Sequence, residues 1–481
     1  MRPRLLGLAA ALPLALPALV AAETGPVSFS PCRLAHPVMP IAIAARCGRL
    51  PVPEDPSLPS GRQLSLRIAV LPADAPRPRP DPVFVLAGGP GQSVTETYPA
   101  LAGAFARLNR DRDIVLVDQR GTGGSSPLSC PGGGEGERTG DERRRAAECA
   151  RTLGVDLAQY GTAAFVRDLE SVRAALGYER VNLVAFSYGT RAALAYARAY
   201  PERARTLLLD GVAPFDMIVG ADFDRDSERA LSLLFDRCRV EPACRERFGG
   251  LDGELRSLLS RLDARPAAVQ IAHPVTGEPL EISFDGDALR QVVLAFLYQA
   301  ETAALLPVLL REAAAGNLAP IAAQGILVSA DLQAGLSRPV HLSVLCTEDV
   351  PFYVAPDRDA GRGFLGSAAR RSLREACAAW PRGSPDPARH EPTPIAVPAL
   401  LVSGEADPVT PPSWAELAAR RLPRSRSITL AGQGHGNLAR GCLPRIAAEF
   451  VRSGSAKGLD TSCADRLRPA PVFVDLLGGA P

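Results

Sequence analysis

The chain has 481 residues, 46% of them apolar, and a formal net charge of +2 at pH 7. That length suits one large domain with an insertion, or two to three small ones, and the apolar share is ample for a packed core. The near-neutral balance, with no basic run and no aromatic–basic stripe, argues against nucleic acid as a partner.

The chain opens with Met1-Arg2-Pro3-Arg4, an apolar stretch from Leu5 to Val20, and then Ala21-Ala22-Glu23. A basic head, a short apolar middle and small residues before a polar one predict a secretory signal over 1–22, cut after Ala22. The rival is a membrane anchor. Pro13 and Pro17 interrupt the stretch, and it falls short of the ~20 residues that a span requires. The expected product is therefore exported, periplasmic or secreted, with no membrane span after cleavage.

Phe29 to Pro56 reads as an irregular, Pro-rich segment. Gln63–Leu71 alternates at period two and predicts a half-buried strand. Val83–Leu86 and Ile114–Val117 are short and wholly apolar, as in a sheet covered on both faces. Each runs into a glycine-rich turn: Gly88-Gly89-Pro90-Gly91 and Asp118-Gln119-Arg120-Gly121-Thr122-Gly123. A helix is expected from about Ala163 to Leu176, a strand at Val181–Val184, a helix from Thr190 to Tyr200 and a strand at Thr206–Asp210. From about Pro214 to Arg338 helical periodicity dominates, broken by a hairpin signal at Val269–Ile271 and Leu280–Ile282; Val340–Arg389 has no firm assignment. Strand and helix then alternate again, with strands at Ala399–Ser403 and Ser427–Leu430 and helices at Trp414–Arg421 and Cys442–Arg452. This order predicts an α/β fold with a mostly parallel central sheet flanked by helices. The expected division is a core over 23–213, a mainly helical lid over 214–389 and the rest of the core over 390–481.

Ten cysteines stand behind the export signal: Cys32, Cys47, Cys130, Cys149, Cys238, Cys244, Cys346, Cys377, Cys442 and Cys463. An even count in an exported chain predicts disulfides. Many connectivities are open; near-neighbour order suggests Cys32–Cys47, Cys130–Cys149, Cys238–Cys244, Cys346–Cys377 and Cys442–Cys463. Metal ligation is the weaker reading, because there is no CxxC and no cysteine lies near a cluster of His.

The chemistry centres on Ala185-Phe186-Ser187-Tyr188-Gly189. An apolar strand, a tight turn with a serine at its tip and an immediate helix make a nucleophile elbow. A serine hydroxyl needs a base, and the base needs a carboxylate, in the chain order Ser, acid, His. Asp407 follows the strand at Ala399–Ser403, with Glu405 as the alternative acid; His435 sits in the loop Gly432-Gln433-Gly434-His435-Gly436 after the next strand. The oxyanion formed by attack calls for donors, expected from the backbone N–H groups of Tyr188 and Gly89. The Gly-rich loop lacks a Lys and the GxGxxG spacing of a phosphate cradle. Neither a metal nor an organic cofactor is implied.

Together, Gly88-Gly89-Pro90-Gly91, Asp118 to Gly123, Ser187-Tyr188-Gly189-Thr190, Asp407 with Thr410-Pro411, and Gly434-His435-Gly436 resemble the α/β-hydrolase serine aminopeptidases. That group includes proline iminopeptidase and the secreted bacterial tripeptidyl aminopeptidases; about 378–463 resembles the C-terminal region of the latter. Ala87 stands where proline iminopeptidases usually carry His, which leans away from strict proline specificity. The resemblance implies peptide substrates with a free N-terminus and an acidic anchor for the amine. Glu348 or Asp349 is the first candidate and Glu96 the next. Asp118 and Arg120 are expected to brace loops. An esterase with the same triad is the alternative, and a non-catalytic binding protein a remote one.

Overall fold

The structure, a computed structural model, describes residues 27–130, 142–353, 363–366, 368–385, 394–475 and 477–479. The expected signal over 1–22 and the boundary at 389 and 390 lie outside the described residues. In chain order the strands are β1 (Ser30–Ala35), β2 (Ala42–Pro53), β3 (Gln63–Leu71), β4 (Val83–Leu86), β5 (Ile114–Val117), β6 (Val181–Phe186), β7 (Ala204–Asp210), β8 (Ala267–Ala272), β9 (Pro279–Phe284), β10 (Ala399–Gly404), β11 (Ser425–Leu430), β12 (Phe473–Asp475) and β13 (Gly478–Gly479). Nine of them form one sheet in the order β1-β2-β3-β5-β4-β6-β7-β10-β11. Neighbours from β5 to β11 are parallel, whereas β1, β2, β3 and β5 pair antiparallel.

The strands β4 and β5 are wholly apolar, and β6, β7 and β10 largely so, as suits a sheet covered on both faces. Phe84, Leu86, Val115, Leu183, Ala185, Leu207, Leu209 and Leu401 enter one cluster, with the helices Thr162–Ala175 and Tyr188–Ala199 over them. Val83, Val85, Leu116, Val184, Leu208, Leu400 and Val402 enter the other, under the helices Val94–Asn109 and Leu443–Ser453. Each strand thus sends alternate side chains to opposite cores.

One sequence expectation is corrected. The segment Phe29–Pro56 is not irregular, since it holds β1 and β2, joined by Cys32–Cys47. In β2, Ala45 packs on one face of the sheet, whereas Leu50 and Val52 pack on the other. The strand changes its buried face midway, so no single alternation marks it. The stretch 214–389, expected as the lid, divides between two cores. One draws on Ala230 to Leu365, including the β8–β9 hairpin, and on Val472 from the C-terminal tail. The helices Arg338–Glu348 and Ala368–Cys377 instead contribute Val340, Leu342, Val344, Cys346, Ala376 and Cys377 to the core beneath the sheet.

All ten cysteines are paired, in near-neighbour order: Cys32–Cys47, Cys130–Cys149, Cys238–Cys244, Cys346–Cys377 and Cys442–Cys463. Cys346–Cys377 joins the two helices that pack under the sheet, across 31 residues. Removing it as the double variant Cys346→Ala, Cys377→Ala should cost about 2–4 kcal/mol, read as a fall in thermal midpoint. An unchanged midpoint would show that packing alone holds those helices.

Candidate active site

The elbow is built by close backbone packing. Ser187 has φ 53° and ψ −127°, a conformation that L-residues rarely adopt, and the helix Tyr188–Ala199 starts at once. Such strain costs on the order of 1–3 kcal/mol and persists only when the surroundings fix it. Here the Ser187 N–H donates to the Asp210 carbonyl (2.9 Å), and the Ser187 carbonyl accepts the Thr190 hydroxyl (2.6 Å). Thr190 Oγ1 in turn accepts the Ala213 N–H (2.8 Å). Gly189 presses on the end of β4, where a Cβ would lie 2.5 Å from the Ala87 carbonyl oxygen and 2.6 Å from that of Leu86. No other residue lets the helix leave the strand this sharply. The Ser187 side chain is left half-buried at the carboxyl edge of the sheet.

Asp407 and His435 meet. The Asp407 carboxylate is fully buried, and its Oδ1 accepts the Val409 (2.9 Å) and Thr410 (2.8 Å) N–H groups. Its Oδ2 accepts the Thr410 hydroxyl (2.8 Å) and lies 2.7 Å from His435 Nδ1. That contact assigns the ring proton to Nδ1 and leaves Nε2 as the basic nitrogen. Burial alone would raise the Asp407 pKa; the charge and hydrogen bond of His435, with the two backbone donors, outweigh it and hold the carboxyl below its usual range. Burial would lower His435, but the charge and hydrogen bond of Asp407, joined by the charge of Asp210, hold the imidazole above its ordinary value. Glu405 is turned elsewhere and accepts the Gly432 N–H (2.8 Å). Of the two acids open in the sequence, Asp407 is the one joined to the histidine.

Serine and histidine flank the same two residues. Asp210 holds the Ser187 N–H, and a Cβ on the next residue, Gly211, would lie 2.7 Å from His435 Cε1. Only glycine leaves room for the ring there. No hydrogen bond joins the Ser187 hydroxyl to the imidazole among the described residues. Catalytic hydrogen bonds often tighten only once substrate is bound.

The loop after β4 lies against the serine: a Cβ on Gly88 would be 2.9 Å from Ser187 Cβ. The N–H groups of Gly89 and Tyr188 donate no hydrogen bond among the described residues, so both are available to a third group. His341 Nδ1 lies 3.0 Å from the Pro90 carbonyl oxygen and ties the helix Arg338–Glu348 to this loop. Asp118 accepts from Ser93, Thr95 and Gly124, and Arg120 pairs with Asp168 while donating to the Glu54 and Gln159 carbonyls. Both act as loop braces.

The candidate anchors separate. Asp349 is buried, with both carboxylate oxygens on Arg191 Nη1 (3.0 and 3.1 Å), and accepts the Val219 N–H (2.8 Å). It is committed to the fold, which corrects the expectation that it could receive an amine. Glu348 is half-buried and accepts the N–H and hydroxyl of Thr162, both at 2.7 Å; Thr162 Oγ1 also lies 2.7 Å from the Tyr188 hydroxyl. Burial raises its pKa against those bonds. Glu96 is half-buried below Gly335, and burial, then the nearby charge of Asp118, raises its pKa.

Two parts of the site have no sequence signature. The lid reaches the histidine loop by its backbone: the His435 N–H donates to the Tyr298 carbonyl (2.6 Å), and Gln299 Nε2 donates to the His435 carbonyl (3.0 Å). The Tyr298 ring meets the imidazole edge-on, with centroids 5.3 Å apart. Asp210 was legible only as the end of a strand, although its carboxylate accepts the Asn437 and Leu438 N–H groups.

Residues 81–237 match the family described as "alpha/beta hydrolase fold", and residues 364–463 the one described as "TAP-like protein". Serine protease Hip1 of Mycobacterium tuberculosis is 32% identical over 209 residues, 39% of this chain and 39% of that protein's length. The tripeptidyl aminopeptidase of Streptomyces coelicolor is 26% identical over 472 residues, covering 89% of this chain and 84% of that protein. Carboxylesterase B of Mycobacterium tuberculosis is 28% identical over 473 residues, covering 87% and 86%. The chain has the α/β-hydrolase fold, with the family match over 81–237 and the TAP-like match over 364–463.

If Asp407 orients the base, Asp407→Asn should lower kcat/KM by about 10³–10⁴, whereas Glu405→Gln should change it little. Comparable losses in both would refute the assignment. Because His435 is held above the ordinary value of about 6.5, the rate should fall as pH drops through a pKa above that figure. A profile flat down to pH 5 would exclude His435 as the base.

Proposed function

We propose that this α/β hydrolase is an exported serine aminopeptidase, releasing amino acids or short peptides from free peptide N-termini. One observation carries the hydrolytic part. A strained, half-buried serine and a half-buried histidine joined to a buried aspartate flank Asp210-Gly211, beside two N–H groups with no other acceptor among the described residues.

In this reading Ser187 Oγ attacks the scissile carbonyl as His435 Nε2 takes its proton. The N–H groups of Tyr188 and Gly89 hold the oxyanion. His435 then hands the proton to the leaving amine, and the C–N bond breaks. Water, deprotonated by the same imidazole, releases the acyl group and restores Ser187. Asp407 stays ionised throughout and stabilises the imidazolium.

The peptidase part is supported by the alignment with the Streptomyces tripeptidyl aminopeptidase along most of both chains. Glu348 is the residue proposed to hold the substrate amine. Export is supported by the five disulfides and by the N-terminal sequence pattern. No described helix is long and apolar enough to cross a membrane. The second reading is an esterase, favoured by the similar coverage of the relative named carboxylesterase B.

A panel of aminoacyl-, dipeptidyl- and tripeptidyl-anilides against simple acyl esters separates the two. Anilides with a free amine should be cleaved, and their acetylated forms should lose at least about tenfold in kcat/KM. Glu348→Gln should raise KM for the free-amine substrates and leave ester hydrolysis unchanged. Turnover of esters alone, or indifference to acetylation, would defeat the aminopeptidase reading.

A further inference from the structure

Asp210 occupies the last rung of β7, opposite Phe186 of β6 and Val402 of β10. Its carbonyl takes the Ser187 N–H, and its Oδ2 takes the N–H groups of Asn437 and Leu438, both at 2.6 Å. One residue thus bonds to the serine elbow through its backbone and to the histidine loop through its side chain. The side chain is 0% exposed, and Oδ1 meets no hydrogen-bond partner among the described residues. A buried carboxylate with one oxygen unpaired is costly, and each such group calls for an explanation. A neutral amide could accept the same two N–H groups without carrying a charge into the core. The carboxylate is therefore suited to something that hydrogen bonding alone does not require.

What faces it supplies the reason. The titratable groups around Asp210 are His435 and Asp407. Burial pushes the Asp210 carboxyl up to about 6, against the two backbone donors and the charge of His435, while Asp407 pushes it the same way as burial. Above that pH it is an anion. We infer that Asp210 is a positioning residue: it clamps the histidine loop to the serine elbow and places a second negative charge beside the imidazole that must become an imidazolium. This rests on the catalytic reading above. Among the described residues Asp210 makes no hydrogen bond to the Ser187 hydroxyl, and it acts through His435.

Asp210→Asn keeps the size and an acceptor for the two N–H groups and removes only the charge. Its readout is the rate at which a fluorophosphonate labels Ser187, followed against pH, with Ser187→Ala as the blank. The rate should fall about tenfold, and its acid limb should move to lower pH by about half a unit or more, because the imidazolium has lost a counter-charge. A role in packing alone would lower the melting temperature and leave the limb where it was. A folded Asp210→Asn protein with an unmoved limb overturns the inference while the triad reading stands. Failure of the probe to label Ser187 in the intact protein defeats both. Should the variant not fold, the Nδ1–H proton resonance of His435 in the intact protein decides. Two inflections with pH are expected, one from the ring and one from Asp210 near 6; a single inflection overturns the proposal.

Discussion

The arrangement depends on the register of three parallel strand ends. Asp210 closes β7 between Phe186 of β6 and Val402 of β10, and the Gly211 N–H donates to the Val402 carbonyl (3.0 Å). That rung fixes the height at which the elbow leaves β6 and the height at which the Asp407 loop leaves β10. A parallel ladder resists slippage because a shift of one residue would turn every buried side chain to the wrong core. The strain at Ser187 is thus held by the sheet itself, with the Thr190 and Gly189 contacts as local support.

Much of this was legible because the relevant signals are local. The apolar runs Val83–Leu86, Ile114–Val117 and Ala399–Ser403 announced strands buried on both faces, and the turn at Ser187 announced itself by its neighbours. The near-neighbour cysteine order also matched the bonds formed. What stayed hidden was non-local. The β2 strand changes its buried face midway, so it shows no period. The pairing of Asp349 with Arg191 links residues 158 positions apart, and Asp349 beside Glu348 looks like a solvated acidic pair until the fold buries it. The choice between Asp407 and Glu405 could not be made by spacing, because both follow the same strand and only the three-dimensional turn points one of them at His435.

The insertion takes part in the site in a way that a covering flap would not. Tyr298, just past the lid helix Gly286–Leu297, and its neighbour Gln299 hold the His435 peptide on both sides through a carbonyl and a side-chain amide. Arg440, beyond the histidine, returns to Gln299 and Glu301. Contacts that end on backbone groups leave no mark on composition, which explains why the sequence showed the insertion only as mainly helical with a hairpin. They also mean that the orientation of His435 and the seating of the insertion are one structural problem.

The five disulfides close rings of 6 to 31 residues, each within a contiguous stretch of chain. No cysteine has to wait for a partner that lies beyond another pair. Under the export proposed above, with the amino end first into an oxidising compartment, each thiol would meet its proper mate as the next one to arrive. The correct covalent map then needs no reshuffling of wrong bonds, and the seam between lid and sheet is left to non-covalent contact alone.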